Sequence, residues 1–461
     1  MKNKGLRIAR ILVLTMAAMS APLAPALADT LRDAMADAYR NSSLLDQNRY
    51  LLRVRDEGVN QAMAALLPTL SFAAASSRDL VAGTTTTTAR LVAEVTLYAG
   101  RSRANAVRAA EETVNAARQQ LVALEAQVLG DAVTAYLEVW EAQQVVSVRE
   151  ANVRVLTQQL RAARDRFEVG EDTRTDVAQA EAQLATARSN LAGAQGTLEI
   201  SRELFNLAVG RYPAAVSAPA GLPGLPASQA QAAELARQDH PAIRALQHEV
   251  AAAEFAVAQA RGSMRPNLSL ELSRSEVFEA PDARQEGNGA AIGLTLSQPI
   301  YRGGQLGSLE RQALAQAEAV RLGLNRQVQI NLQLLGNAYA RFAIASAQIE
   351  ASDQRINAAQ LAFDGIREEA SLGARTTLDV LDAEQNLLEA RISRIEAQSG
   401  LYAAAYGILA ASGLLSVGHL QLPVPEYDAA AYGAAFSGGQ PRVMSPQGAR
   451  LDTLLQAIGR Q

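Results

Sequence analysis

Two aspartates, Asp379 and Asp382, are the side chains of this sequence best placed to do chemistry. They follow a glycine-containing turn at the start of a helical pattern, and their spacing puts both on one helix face. Carboxylates brought close together favour cations and can bind a metal ion or protons. The alternative is that both stabilise the start of their helix through its dipole, by about 0.3–1 kcal/mol each.

No catalytic set of side chains accompanies these carboxylates. The chain has no cysteine, and its three histidines, at positions 240, 248 and 419, are scattered along the sequence. Disulfides, thiolate chemistry and a histidine-based metal site are therefore not expected. The sequence has no glycine-rich phosphate loop after a strand, and its net charge of −4 argues against a nucleic-acid partner. It predicts a protein that is not an enzyme and needs no cofactor.

The segment that carries the aspartates occurs twice in the chain. Residues 371–384 have a counterpart at 170–181, at an offset of 203 residues (373 − 170 = 203). At this offset the two halves share the identical pairs Gly170/Gly373, Asp176/Asp379, Val177/Val380, Ala180/Ala383, Glu181/Glu384, Leu184/Leu387, Ala187/Ala390 and Arg188/Arg391. The chain is therefore a duplicated unit, and we expect both halves to form the same structure.

Residues 1–28 have the pattern of a secretory signal peptide. Four basic residues precede an apolar run from Ile11 to Met19, and residues 26–28 (Ala-Leu-Ala) form a small-residue cleavage site. Asp29 is then the predicted first residue of the mature protein. The apolar run is shorter than the roughly 20 residues of a membrane-spanning helix, so the sequence predicts an exported chain.

Each half continues with a helical pattern, two strands and two further helices. The first helical patterns end at Pro68 and Pro266, which are 198 residues apart (266 − 68 = 198). Residues 267–273 then alternate apolar and polar side chains, which predicts a strand with one apolar and one polar face. Polar loops at 77–88 and 279–289 follow the first strands. Because the offset grows from 198 to 203 across the hairpins, the extra residues belong to the second hairpin.

The longest predicted elements are two helices, 101–167 and 304–370, each about 100 Å long at 1.5 Å per residue. Neither contains a proline, and small and apolar residues recur every three or four positions, which is typical of a coiled-coil seam.

The sequence predicts two repeats between a signal peptide 1–28 and a C-terminal tail 414–461, joined by a linker 211–227. The first repeat, 29–210, has β-hairpin 69–98, long helix 101–167 and return helix 175–209. The second repeat, 228–413, has β-hairpin 267–301, long helix 304–370 and return helix 378–412.

Four amphipathic strands in one chain cannot close a barrel. An open sheet edge in lipid would leave backbone groups unpaired, at several kcal/mol each, so other copies must complete the sheet. Three copies would give 12 strands, an even number within the range of known barrels. The predicted fold is therefore mixed but mainly α, with two tandem repeats: a β-barrel completed by other copies, with 12 strands if three copies assemble, continuous with a long α-helical barrel.

Residues 30–415 resemble the TolC-like outer-membrane efflux proteins. The resemblance is most specific at 371–384, at 170–181 and at 299–304 (Pro-Ile-Tyr-Arg-Gly-Gly). It implies a homotrimer in the cell outer membrane with a large periplasmic portion, which acts as the exit duct of a tripartite efflux or type I secretion system. It also implies two partners, a periplasmic adaptor (membrane fusion) protein and an inner-membrane pump or ABC transporter. The tail would be periplasmic, and loops 77–88 and 279–289 would face the exterior.

The resemblance also implies roles for the residues of the two turns. In the family, the positions of Asp379 and Asp382 carry the aspartate rings of the periplasmic entrance. By the same analogy, Arg375 ties its helix pair to the neighbouring pair, with Thr175 and Asp176 as acceptors. Together these residues would form a periplasmic gate.

Two further sets of residues are candidates for contacts outside the chain. Gly170 and Gly373 resemble the tip that adaptor hairpins grip, although a helix C-cap glycine would look the same in the sequence. Aromatic residues near the strands are candidates for the girdles found at membrane interfaces: Tyr98, Tyr301, Phe72 and Phe278.

A periplasmic coiled-coil adaptor or scaffold protein is the alternative function. Such adaptors also have paired helices, but they usually have one helical hairpin flanked by a lipoyl-like β-domain. Two helical hairpins at one offset and two β-hairpins within the repeats favour the channel.

Overall fold

The computed structural model of the protein describes residues 29–171, 173–279 and 287–427. The predicted signal peptide lies outside the described residues, as does the part of the predicted tail beyond residue 427. Within the described ranges, none of the helices is both long and apolar enough to cross a membrane.

The two halves of the chain have the same order of elements. The first half contains α1 (Leu31–Asn41), α2 (Ser43–Ala64), β1 (Thr69–Arg78), β2 (Thr85–Ala99), α3 (Ser102–Glu168) and α4 (Arg174–Val209). The second contains α5 (Gln229–Asp239), α6 (Pro241–Gly262), β3 (Asn267–Glu279), β4 (Gly287–Ser297), α7 (Gln305–Ser371) and α8 (Thr377–Ser412). Both long helices have 67 residues and both return helices have 36, so the duplication in the sequence is also a duplication of structure.

The strands differ from the sequence-based prediction more than the helices do. β1 and β2 extend into the predicted loop 77–88, so that residues 79–84 alone connect them. β4 ends at Ser297, before the predicted end of the hairpin at residue 301. Pro299 explains the early end, because proline has no amide hydrogen to donate to a neighbouring strand.

The chain divides into two compact units. The first comprises the described residues of Met1–Ser42, Val128–Gly224 and Arg341–Tyr406, and the second those of Ser43–Gln127, Leu225–Ala340 and Gly407–Gln461. The first unit therefore holds both turns between the long and return helices. The second holds the sheet.

The helices of the first unit pack through two apolar clusters near the turns. One cluster joins α3 and α4 and includes a residue of α8: Leu156, Leu160, Ala180, Leu184, Ala187 and Leu381. The other joins α7 and α8: Phe363, Val380, Ala383 and Leu387. Because α8 contributes to both clusters, its first turns have a fixed orientation relative to both helical hairpins.

The sheet of the second unit is antiparallel, in the order β1-β2-β3-β4. One row of directly opposed residues crosses all four strands: Leu70 pairs with Ala93, Ala93 with Leu272, and Leu272 with Ile292. In the described part of the chain, β1 and β4 are each paired on one side, so each has a free edge.

Candidate functional site

Asp379 lies in the first turn of α8 and is held by Thr376. The backbone amide and the hydroxyl of Thr376 donate to Oδ2 of Asp379 over 3.0 and 2.9 Å, and the amide of Asp379 donates to the Thr376 hydroxyl oxygen over 3.2 Å. These bonds satisfy amides that the start of a helix leaves unpaired. The backbone bond is the main reason why the pKa of Asp379 is lowered from its ordinary value. The carboxylate is therefore ionised and oriented at neutral pH.

The first repeat builds the same capping box at the same offset. The amide and hydroxyl of Thr173 donate to Oδ2 of Asp176 over 2.9 and 2.6 Å, and the amide of Asp176 donates back over 3.3 Å. The hydroxyl bond is the largest cause of a lowered pKa at Asp176. Asp176 and Asp379, which occupy the same position in the two repeats, therefore both have a structural role at a helix start, in addition to any role in a pore.

Asp382 differs from Asp379 in its surroundings. It is exposed, and no described residue donates a hydrogen bond to it or forms an ion pair with it. Its neighbours Leu381 and Ala383 are buried in the two apolar clusters, so Asp382 lies on the unpacked side of α8. Of the two aspartates, Asp382 has the carboxylate with both oxygens available to a cation.

Arg375 has a different partner from the one expected. Its Nε donates to Oε2 of Glu369 over 2.8 Å, at the end of α7. The expected link to Thr175 and Asp176 is not formed within the described chain, where Asp176 is bonded to Thr173 instead. Because Arg375 and Glu369 are 50% and 53% exposed, solvent screens their ion pair, which contributes little to the stability of the turn.

Two contacts near the turns were not anticipated from the sequence. Nη2 of Arg166 donates to the hydroxyl of Thr377 over 3.2 Å and links α3 to the start of α8. Asn152 donates to the buried Glu384 over 3.2 Å. The Thr-x-x-Asp patterns at 173–176 and 376–379 could have revealed the capping boxes. The two cross-hairpin bonds have no such local signal, because more than 200 residues separate their partners along the chain.

The glycines of the turns end the long helices. Gly170 and Gly373 have φ values of +84° and +80°, a conformation that favours glycine. In each turn the residue after the glycine donates its amide hydrogen to the carbonyl five residues earlier, over 2.9 Å. The residues just before the glycines, Val169 and Leu372, are 71% and 78% exposed. Each turn therefore presents an apolar side chain to the surroundings of the single chain.

One face of the sheet is apolar and exposed. The register places alternate residues of all four strands on this face. Its large exposed members are Leu70, Phe72, Leu91, Leu272, Ile292, Leu294 and Leu296. A soluble protein rarely leaves so continuous an apolar surface uncovered, so this face marks a membrane or protein contact.

The opposite face of the sheet is polar. It carries the serines and threonines that alternate with the apolar residues, together with an ion pair between Arg90 and Glu271 of neighbouring strands. Nη2 of Arg90 lies 2.7 Å from Oε1 of Glu271. The two faces of the sheet therefore differ in polarity, one suited to apolar surroundings and the other to water.

Three of the four candidate aromatics lie on the sheet. Phe72 is on the apolar face, paired with Leu91. Tyr98 reaches this face through a β-bulge, because the register shifts between Thr96 and Tyr98 and pairs Tyr98 with Leu268. Strict alternation along β2 would have placed Tyr98 on the polar face.

The other two aromatics lie near strand ends. Phe278 is the additional residue at the second irregularity of the β2–β3 pairing, where Thr87 pairs with Glu279 and Thr88 with Val277. Tyr301 is not on a strand, since β4 ends four residues earlier, and it is 84% exposed.

The model of the family described as outer membrane efflux protein matches the chain twice, over residues 35–211 and 232–414. The chain belongs to the outer membrane efflux protein family. Within this family it is similar to the outer membrane efflux protein BepC of Brucella suis biovar 1 (strain 1330), with 35% identity over 406 residues. That alignment covers 87% of this chain and 89% of BepC.

The fold of this outer membrane efflux protein is similar to those of solved channels. The CmeC outer membrane channel of Campylobacter jejuni has a TM-score of 0.76 at 15% identity, covering 88% of this chain and 89% of that one. The open state of the MtrE outer membrane channel of Neisseria gonorrhoeae has a TM-score of 0.72 at 21% identity, covering 83% and 89%.

Family membership decides between the functions considered from the sequence. The protein is an outer-membrane efflux or secretion channel with a large periplasmic helical portion, and not an enzyme. The alternative of a periplasmic adaptor or scaffold is not supported. The two matched ranges also coincide with the two structural repeats.

Proposed function

We propose that three copies of this chain form the outer-membrane exit duct of a tripartite efflux or type I secretion system. The observation that carries the proposal is the sheet of the second unit, which has one exposed apolar face, one polar face and two free edges. Free edges in lipid leave backbone groups unpaired, and closure of a ring satisfies them. With four strands from each copy, a trimer has 12 strands, with apolar side chains towards lipid and polar side chains towards a lumen.

The gate of this duct is assigned to the turns of the first unit. In a trimer, Asp382 contributes three exposed carboxylates, and Asp379 contributes three whose orientation is set by Thr376. Rings of carboxylates favour cations in a narrow pore, so a divalent cation bound at the Asp382 ring would hold the entrance closed. Arg375 keeps its turn in place through Glu369 within its own copy, and contact with Thr175 and Asp176 is left to a neighbouring copy.

The partners of the duct are a periplasmic adaptor and an inner-membrane pump or ABC transporter. The turns around Gly170 and Gly373 are the proposed adaptor site, because each presents an exposed apolar residue, Val169 or Leu372, beside a glycine with open space around it. Apolar anchors of this kind carry most of the energy of protein interfaces.

At the membrane, the proposed interface residues are the aromatics at or near the strands: Phe72, Tyr98, Phe278 and Tyr301. Aromatic rings combine an apolar body with an edge that tolerates headgroups and water, which suits the boundary of the bilayer.

The test of the duct is purification of the full chain from outer membranes in mild detergent. Native mass spectrometry should give the mass of a trimer, and reconstitution into planar bilayers should give ion conductance. A water-soluble monomer obtained without detergent, or a trimer that does not conduct under any applied voltage, would contradict the proposal.

The adaptor site is tested with a photo-crosslinking amino acid at position 372 in cells that express the partner proteins. Leu372 should capture a periplasmic adaptor. Position 80 is the matched control, because Leu80 is also highly exposed but lies in the β1–β2 loop, which faces the exterior in this arrangement. Equal capture of the adaptor from both positions would argue against the turns as the docking site.

A further inference from the structure

We propose that β4 of one copy pairs with β1 of the next in a register dictated by the internal repeat, with Thr295 opposite Ala75 of the next copy. The inference rests on the proposed trimer and adds the interface that closes it. Its template is the pairing of β2 with β3, which joins the two hairpins inside one chain.

Two offsets relate the hairpins, and the observed pairing verifies both. Equivalent positions of β1 and β3 differ by 198 residues (267 − 69 = 198). Equivalent positions of β2 and the region of β4 differ by 203 (301 − 98 = 203). In the first hairpin Thr69 pairs with Glu94. The offsets carry these residues onto Asn267 and Ser297, and these two residues do pair in the second hairpin. The two hairpins therefore share one register.

Replacing each residue of the β2–β3 pairing by its equivalent in the other repeat gives the expected pairing of β4 with β1 of the next copy. Val92 pairs with Ser273 inside the chain. An offset of 203 carries Val92 onto Thr295, and one of 198 carries Ala75 onto Ser273 (92 + 203 = 295; 273 − 198 = 75). All four residues lie on the polar face of the sheet, so the pairing keeps the apolar face continuous from one copy to the next.

The backbone beside the strands has an open space where this interface is expected. Gly100 has a φ of +59° and lies so close to the end of α6 that an added Cβ would be 2.2 Å from the carbonyl oxygen of Gly262. Its counterpart Gly303 has nearly the same φ, +58°, yet none of the described residues comes within 4 Å of the equivalent point.

The repeat identifies what should occupy that space. The counterpart of Gly262, the last residue of α6, is Ala64, the last residue of α2 (262 − 198 = 64). We therefore expect Gly303 of one copy to pack against Ala64 of the next. Leu67, which is exposed in the single chain, lies beside this contact and would be covered by it.

Disulfide mapping tests the register. Because the chain has no native cysteine, any disulfide must form between the introduced residues. The double variant Thr295→Cys/Ala75→Cys should form disulfides between copies on oxidation in outer membranes, giving covalent trimers on denaturing gels. The matched control Val92→Cys/Ser273→Cys has the same geometry within one chain, so it should oxidise without producing oligomers.

Two displaced variants distinguish this register from its neighbours. Thr295→Cys combined with Ala73→Cys or with Ser77→Cys keeps the face but moves the partner by two residues. Directly opposed Cβ atoms lie about 4.5–5.5 Å apart, whereas diagonal ones lie about 7–8 Å apart, beyond ordinary disulfide reach. The Ala75 pair should therefore give about tenfold more covalent trimer than either displaced pair.

The outcomes separate this inference from the proposed function. Cross-linking through the Ala73 or Ser77 pair instead of the Ala75 pair would overturn the register and leave the trimer intact. No disulfide between copies in any variant, with the internal control oxidised, would overturn the inference. If native mass spectrometry then also gave a monomer, the proposed function would fail with it.

Discussion

The side-chain amide of Asn152 donates a hydrogen bond of 3.2 Å to Oε1 of Glu384, and both side chains are buried. The bond joins α3 to α8 within the first unit. Burial raises the pKa of Glu384 above its ordinary value, and the Asn152 bond and the charges of Arg391 and Arg367 offset this only in part. A raised pKa means that the folded state disfavours the ionised form, so this group destabilises the fold as the pH rises above its unfolded-state pKa.

Replacing Glu384 by glutamine should therefore stabilise the protein at pH 7.5, by about 1 kcal/mol, because the amide keeps an acceptor for Asn152 without a buried charge. The gain should disappear near pH 4, where the carboxyl is protonated in both states. Thermal unfolding of the purified protein at both pH values measures this. Glu181→Gln is the control, since Glu181 is the exposed counterpart and should change stability little. A less stable Glu384→Gln variant at pH 7.5 would refute the argument.

In the proposed gate, substitutions at Asp382 and at Thr376, which holds Asp379, should have different effects: the first on cation block and the second on stability. Asp382→Asn should weaken block of the channel by divalent cations by about tenfold and leave thermal stability unchanged, because no described residue bonds to this carboxylate. Thr376→Ala should instead cost about 1 kcal/mol through loss of the cap at the start of α8, while both carboxylates remain. Single-channel recordings and thermal unfolding distinguish the two effects. Unchanged block in Asp382→Asn would show that this residue is not part of the proposed gate.

The beginning of the described chain should make the protein sensitive to acid. Arg211 donates to Asp29 through Nη1 and to Asp37 through Nε, both over 2.8 Å. Burial opposes ionisation of Asp29, but hydrogen bonds from Arg211 and the amide of Ala214 outweigh it and lower the pKa. A lowered carboxyl pKa stabilises the fold above the ordinary value of 3.8. That stabilisation is lost as the pH falls through the folded-state value.

Arg211→Gln should accordingly destabilise the protein by about 1–2 kcal/mol at neutral pH and less at pH 3. Arg202→Gln is the matched control, because its ion pair with Glu199 is exposed and local, and should cost less than about 0.5 kcal/mol. Denaturation followed by circular dichroism across this pH range gives both values. Equal losses in the two variants would show that the Asp29 cluster has no special role.

The faces of the sheet predict opposite effects for neighbouring substitutions. Leu294→Arg places a charge on the apolar face and should cost about 2–4 kcal/mol if this face contacts the middle of the bilayer. Gly293→Arg places the same charge on the polar face, opposite Glu271, where an added Cβ meets nothing within 4 Å among the described residues. The amount of trimer in isolated outer membranes should fall in the first variant only. Equal amounts would contradict the assignment of the lipid face.

Much of the site could be predicted from the sequence because its signals are local. The offset of 203 identifies both turns, and the predicted long and return helices end within one residue of the observed ends. The spacing of Asp379 and Asp382 places both on one helix face, whereas their assignment to a gate rests on the family resemblance. The partner of Arg375 within its own copy was not predicted. The sequence contains several carboxylates within reach of a flexible guanidinium, and only the folded turn selects Glu369.

The sequence by itself determined the repeats, the lengths of the helices and the alternation of the strands. These features depend on hydrophobic periodicity and on the glycines and prolines at element ends, which are local signals. The tertiary structure decided the rest. A β-bulge moved Tyr98 to the apolar face, the capping box occupied Asp379 but left Asp382 free, and Asn152 met Glu384 across two hairpins. These relationships depend on register and on packing between segments far apart in the chain, and no local pattern encodes them.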